Sequence, residues 1–439
     1  MEFQDFFITP IYLLLFYGLA FWLRPRFTNI HTRKYFIPAL TVKFVGAIAL
    51  GMIYQFYYNG GDTFNYFHDA KIIAESFYDS PLKYFKIFFS SGEYDNDTFS
   101  YTSRLYWFRA NTEFTVSRIT SIFCLLTFST YSAVALFFAF FSFFGLWAIH
   151  TTLIKIYNKH HREFAYAIFF LPSVFFWGSG LMKDTIAIGV IGFFFYSFYQ
   201  LLIEKKSILI TAIVFIFLFL LIKNIRIYIL LGFVPPAIIW VFLENIKRVK
   251  NKVIRYVTFP FALLIGGIIA GYLAQTLTAG DARYDLDNIA AITKVNADYL
   301  YRLSLKQGGS AYSLGELDGT IAGTLNLAPA AIYTSLFRPF LWEVRNVVML
   351  LSAFENLLIL LFTLLVIFKK GPRLIIATLI KDPSLQFILL FSLIFAFAVG
   401  ITSYNFGTLV RYKIPLLPFF VSSLIIMYKT NPKNMLDKP

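Results

Sequence analysis

Residues 204–226 read EKKSILITAIVFIFLFLLIKNIR. Between the charges of 204–206 and those at Lys223 and Arg226 lies an unbroken apolar run, 207–222, whose only polar side chains are Ser207 and Thr211. Such a run belongs in hydrocarbon, where a helical crossing takes about 20 apolar residues. It shows no alternation of apolar and polar positions, so it is not a barrel strand. Further runs follow the same pattern near 7–23, 38–57, 118–154, 164–178, 185–203, 227–243, 256–277, 344–368, 385–401 and 410–428. Two are irregular. The run 118–154 is too long for one straight crossing, and Ser129 to Ser132 mark a break in it. The run 164–178 is short and carries Pro172.

Composition agrees. The 439 residues are 58% hydrophobic and 14% charged, with mean hydropathy +0.66, whereas a soluble chain is about 45–50% apolar and about 25% charged. The 54 Phe, 28 Tyr and 6 Trp suit a lipid-facing surface with interfacial belts. Cys124 is the single cysteine, which excludes a disulfide scaffold. The expected fold class is all-α: a polytopic integral membrane protein of about 11 transmembrane helices, one transmembrane domain over 1–439. Its two larger outer-side loops fall at 58–117 and 278–343.

The formal charge of +15 is explained by topology. The segments 24–34, 155–163, 204–206, 244–255, 369–382 and 429–439 hold 21 Lys and Arg against five acids, while the opposite segments hold 17 against 18. The positive-inside rule then puts the N terminus outside and the C terminus in the cytoplasm. No basic folded domain is left over for nucleic acid. The short cytoplasmic loops carry no Gly-rich phosphate loop, and the first apolar run lacks a signal cleavage site. The chemistry therefore falls to the outer loops.

The first of these opens with NGGDTFNYFHDA, 59–70. Two glycines release the chain from the second span, and Asp62 or Thr63 can cap a new helix. Asp62, Tyr66 and Asp69 stand at i, i+4 and i+7 and share one face; His68 points elsewhere. A carboxylate shielded from water at that level can take a proton from a sugar hydroxyl. Pro81 to Phe89 reads as a short interfacial helix. Asp95-Asn96-Asp97 and Asp285-Leu286-Asp287 have a spacing that can hold a divalent cation, although such spacings are common in acidic loops and no metal site is expected. Asn96 also begins a glycosylation sequon.

Cations recur at the expected outer boundary: Lys183 beside Asp184, Lys223 and Arg226 flanking a reversal, Arg338 before Glu343, and Arg411 with Lys413. A charge at that depth is costly unless paired or used. Several converging there would suit a phosphate or pyrophosphate, while snorkelling to headgroups is the plainer alternative. Glu343 can pair with Arg338 or Arg345. Lys43 and Glu355 lie within spans, where ionisable groups mark transport pathways.

The stretch from Gly61-Asp62 through Tyr66 to Asp69 resembles the acidic position of the GT-C-type membrane glycosyltransferases. LPSVFFWGSGLMKD (171–184), LFRPFLWE (336–343) and NFGTLVRYK (405–413) look like stretches of multi-span proteins in bacterial cell-surface polysaccharide pathways. The acidic loop follows the second span rather than the first, and no soluble domain is expected after the last. Both departures leave room for the neighbouring Wzy-like or EpsG-like polysaccharide polymerases. The resemblance implies a transferase that moves a sugar from a polyprenyl-phosphate carrier in the membrane lipid to a glycan or other acceptor, with no cofactor. Asp62, helped by Asp69, would be the base; Tyr66, Lys183, Arg226, Arg338, Glu343 and Arg411 would bind substrate and phosphate. A lipid-linked-substrate transporter or flippase and a non-catalytic envelope scaffold are the rival classes.

Overall fold

The structure is a computed structural model that describes residues 2–246, 289–306 and 309–430, together with 261, 264, 266–269, 271–273 and 275–276. The acid pair at 285–287 and the basic stretches 247–255 and 431–439 lie outside the described residues, as does part of the expected span 256–277. Among the described residues there is no strand, only an isolated bridge between Ala311 and Asn405.

Among the described residues, seven helices are long and apolar enough to cross a bilayer: α1 (Asp5–Phe27), α2 (Arg33–Phe56), α7 (Tyr131–Tyr157), α10 with its π-helical extension (Lys183–Glu204), α11 (Ile208–Ile246), α15 (Val347–Lys381) and α16 (Pro383–Ser403). The chain is an all-helical, membrane-embedded protein. A further crossing arises if α17 (Phe406–Tyr412) and α18 (Leu417–Lys429), bent by 68°, act as one span.

Of the eleven expected spans, that at 256–277 lies in part outside the described residues, and others are locally irregular. The run 118–154 does break, at Phe128 and Ser129, both with positive φ (52° and 51°); only its second half, α7, has the length of a span, and α6 (Asn111–Leu126) ends before the break. The run 164–178 becomes α8 (His161–Phe169) and α9 (Pro172–Trp177). At 1.5 Å per residue, nine residues reach about 14 Å, under half of a hydrocarbon core. The runs 207–222 and 227–243 both lie in α11, which is two helical stretches joined at Arg226, whose φ of −151° and ψ of 72° are not helical. Between α2 and α6 lie α3 (Asp62–Asp79), α4 (Pro81–Phe88) and α5 (Phe99–Thr102).

The chain divides into two compact units. The first takes in Met1–Phe170, Val174–Ser197 and Ile213–Arg226. In it α1 and α2 pack on α7, and α3 packs on α6 over an apolar cluster of Ile72, Ile73, Ile87, Leu105, Phe108 and Phe114. Asp5 is buried and accepts the Ser132 N–H at 2.8 Å, which holds the start of α7. Glycines set the closest helix approaches: the backbone of Gly145 on α7 meets that of Gly189 and Gly192 on α10, and Gly46 on α2 meets the Phe175 carbonyl.

Lys43 is fully buried within α2. Its Nζ donates to the Gly178 and Val174 carbonyls, and Ser142 Oγ donates to Gly178 O at 2.8 Å. Carbonyls released by the break between α9 and α10 need donors where water is absent, and Lys43 supplies them.

The second unit holds Leu171–Ser173, Phe198–Ala212 and Ile227–Pro439. Here α12 (Ile289–Lys306), α13 (Ile321–Asn326) and α14 (Ala328–Phe337) lead to α15 through a 3-10 turn, Leu341–Glu343. Helix α14 packs on α16, tied by Ser335 Oγ donating to Ala396 O at 2.6 Å. Trp240 stacks on Phe387 with centroids 4.7 Å apart, and its Nε1 donates to Ser384 Oγ at 3.2 Å.

A Cβ on Gly145 would overlap the backbone of Gly189, whereas one on Gly18 of α1 meets nothing. Gly145→Leu should therefore lose at least the roughly 1–3 kcal/mol typical of overpacking, while Gly18→Leu should behave as wild type. Melting and size-exclusion profiles of the two purified variants check this.

Candidate functional site

The first unit gathers ionisable groups around Tyr66. The chain leaves α2 through Gly60 and Gly61, with φ of 124° and 126°, conformations open to glycine and costly to other residues. At Gly61 a Cβ would also strike the Tyr54 ring. Gly61, not Asp62, holds the N-cap position of α3. Asp62 is instead a half-buried acid in the first helical turn, where the helix dipole favours a carboxylate.

One turn on, Tyr66 is 2% exposed. Burial first, then the negative charges of Asp62, Glu113 and Asp184, push its phenol far above the ordinary value of 10; Arg226 opposes them. Tyr66 is thus a neutral hydroxyl set among three carboxylates and a guanidinium. Lys183 closes the group through its ion pair with Glu113, whose other oxygen accepts from Thr112. Burial raises the Glu113 carboxyl, but the Lys183 charge and hydrogen bond outweigh it and hold the group below 4.5.

The two ion pairs differ in depth. Arg226 Nη2 lies 2.6 Å from Asp184 Oδ1, with both side chains under a tenth exposed. Lys183 and Glu113 keep about a fifth of their side-chain surfaces open, 16% and 22%. The deep pair is shut away from solvent, and the shallow one is partly open to it. Three carboxylates against two cations make the cluster acidic on balance. Beside it, the Trp107 ring centroid is 6.2 Å from that of Tyr66, and its buried Nε1–H has no hydrogen-bond partner among the described residues.

Asp69 shares the face of Tyr66 but does another job. It is fully buried, and its two oxygens accept the backbone N–H groups of Tyr106 and Trp107, each at 2.9 Å. Burial raises its carboxyl, and these hydrogen bonds counter the rise. It pins the 104–110 segment over α3 and so places Trp107. His68, on its separate face, stacks on Tyr106 at 4.5 Å.

The Asp95–Asp97 pair grips Lys86, at 2.7 and 2.8 Å, so its spacing serves an ammonium. No group of three or more His, Cys, Asp or Glu able to hold a metal occurs among the described residues.

In the second unit Arg338 is committed to Glu343. Its Nε lies 3.1 Å from both carboxylate oxygens, and Nη2 reaches Oε1. Glu343 also accepts the Phe340 N–H at 2.8 Å. The guanidinium faces the rings of Phe406, at 5.0 Å, and Tyr312, at 5.8 Å. Arg411 is half-buried in α17. Lys413, expected at the membrane boundary, is instead fully buried: Nζ spends its three protons on Asn356 Oδ1 (2.6 Å), Ser335 O (3.0 Å) and Arg338 O (3.3 Å). Each unit thus has its own set of cations, Lys183 with Arg226 in the first and Arg338 with Arg411 and Lys413 in the second.

Sequence reading missed Glu113 and Trp107. Trp107 stands in the connection before α6 and Glu113 in the first turn of α6, and their only sequence signal was an acid and an indole in an outer loop.

Removing one partner of a buried pair leaves the other charge uncompensated, at about 3–5 kcal/mol. Arg226→Met should lower stability by that order and Arg226→Lys by less, read by chemical denaturation in detergent. Glu113, held below its usual value, contributes stability that is complete above pH 4.5 and is lost as pH falls through the lower folded value. The melting difference between wild type and Glu113→Gln should be constant above pH 4.5 and shrink below it; a difference that grows on acidification contradicts the assignment.

The chain matches no protein-family model, no curated protein and no solved structure.

Proposed function

We propose that the protein is a membrane glycosyltransferase of the GT-C kind. In this reading it moves a sugar from a polyprenyl-phosphate carrier to an acceptor hydroxyl at the outer face of a bacterial inner membrane. The observation that carries the reading is the cluster itself: a half-buried Asp62 at a helix start, beside a neutral Tyr66 and two ion pairs of unequal depth.

The chemistry follows from the residues. Asp62 takes the proton of the acceptor hydroxyl. The freed oxygen bonds to the anomeric carbon of the sugar as the bond from that carbon to the carrier's phosphate oxygen breaks, and the electron pair leaves with the phosphate. Lys183, in the more open pair, passes from Glu113 to the phosphate and stabilises the charge that develops there. Arg226 stays with Asp184 and keeps the field in place. Tyr66 and the Trp107 indole donate hydrogen bonds without changing charge. Asp69 acts at one remove, by positioning Trp107. Arg338, with Glu343, and Arg411 belong to the same reading as substrate-binding groups of the second unit. A polysaccharide polymerase would use the same steps with a lipid-linked acceptor.

Transport is the second reading, and one observation favours it. Glu355, inside the span α15, is 2% exposed; one oxygen accepts the Ser173 N–H at 2.8 Å, and the other has no hydrogen-bond partner among the described residues. A carboxylate so placed is a candidate proton carrier.

A positioned general base contributes about 10²–10⁴-fold. Asp62→Asn should cost that much of sugar transfer in membranes supplied with lipid-linked donor, at normal expression, and Lys183→Gln should also lose turnover. Full transfer by Asp62→Asn, with loss confined to Glu355→Gln, would replace the enzyme reading with the transport one.

A further inference from the structure

The second unit contains a cleft of about 450 Å³ that none of the residues above explains, lined by Lys294, Asp298, Tyr301, Ser313, Glu316 and Tyr404, with Gly315 and Leu317. Its volume is within the roughly 300–1,000 Å³ of small-molecule sites. Lys294, Asp298 and Tyr301 stand at i, i+4 and i+7 on α12, so one helix face forms a wall. The opposite wall is the turn at 313–316, where Gly315 has φ of 114° and its N–H meets Ser313 Oγ at 3.2 Å. Leu317 and Tyr404 belong to a buried apolar cluster with Ala297, Ala331 and Ile401, which makes the floor rigid.

Tyr404 points to a ligand independently of the cleft's shape. It caps α16 with φ of 45°, a left-handed conformation that a bulky residue adopts only when its surroundings require it. Its ring stacks on Tyr312 at 5.6 Å, and the Tyr404 carbonyl accepts the Tyr312 N–H at 3.2 Å. The residue is 4% exposed, yet its hydroxyl has no hydrogen-bond partner among the described residues. A buried unmet hydroxyl is expensive. Burial and then the charge of Asp298 push it up to about 12, so it is a neutral donor and acceptor at physiological pH.

Two carboxylates against one ammonium give the cleft a negative balance, which disfavours a phosphate. Two carboxylates that can accept from a ligand's hydroxyls, three hydroxyl side chains and two tyrosine rings fit a neutral polyhydroxylated ligand. We propose that this cleft of the second unit binds an uncharged sugar unit, held by Asp298, Glu316 and the Tyr404 hydroxyl. It rests on the glycosyl-transfer reading only in taking that sugar to be part of the acceptor glycan.

The test is retention of the full-length protein, in lipid nanodiscs, on an array of neutral oligosaccharides built from glucose, galactose, mannose and N-acetylglucosamine, with spermidine and inorganic pyrophosphate as soluble competitors. Wild type should be retained on a subset of the neutral glycans, unaffected by pyrophosphate or spermidine. Tyr404→Phe, which keeps the ring, should weaken retention about tenfold, and Asp298→Asn with Glu316→Gln, both on exposed positions, should abolish it. No retention of any neutral glycan, equal retention by the variants, or displacement by spermidine or pyrophosphate would overturn the proposal. The readout is binding, so failure of Asp62→Asn to lose turnover would count against glycosyl transfer alone and leave this result standing.

Discussion

The first unit is organised by the ion pair between Asp184 and Arg226. Asp184 stands in the first turn of α10, and Arg226 sits where the helical path of α11 is interrupted. Both are buried. Neither charge could stay at that depth alone, so each fixes the position of the other and of the helix end that carries it. Tyr66 lies within reach of both charges, and the Glu113–Lys183 pair begins one residue earlier on α10. The start of α3, the first turn of α6 and the first turn of α10 are thereby held in one constellation.

Burial elsewhere obeys the same constraint. Lys43 answers carbonyls freed by the break before α10, Lys413 answers carbonyls at the end of α14 and the amide of Asn356, and Asp69 answers two N–H groups of the loop it pins. In each case a side chain that looks chemical in sequence is consumed by backbone that water cannot reach. What distinguishes Asp62 and Lys183 from these three is that they are left at intermediate exposure, where solvent still reaches them.

This explains what could be read in advance. Uninterrupted apolar length sets the membrane class and most of the long helices, because length against bilayer thickness is a one-dimensional constraint. Breaks at Ser129 and Pro172 were also visible. The employment of Lys43 at the next break, between α9 and α10, was not, since it arrives from another helix to meet the Val174 and Gly178 carbonyls. In the site, the helical face of Asp62, Tyr66 and Asp69 followed from spacing, but the separation of Asp69's role from that of Asp62 depends on where the 104–110 segment folds back. Glu113 was invisible for the same reason: its partner Lys183 is 70 residues away. The four cations were grouped by level alone, whereas pairing separates them: Arg338 is matched by Glu343, Lys183 by a partly exposed Glu113 and Arg226 by a buried Asp184.

The central claim is that the carrier's phosphate comes to Lys183 in the first unit. Cross-linking with a polyprenyl phosphate that bears a photoreactive group beside the phosphate tests it most directly. The account predicts adducts on peptides containing Asp62 to Tyr66, Trp107 to Glu113 and Lys183, weakened by Lys183→Gln. Adducts confined to the lipid-exposed face of α1, unchanged by that substitution, would contradict it.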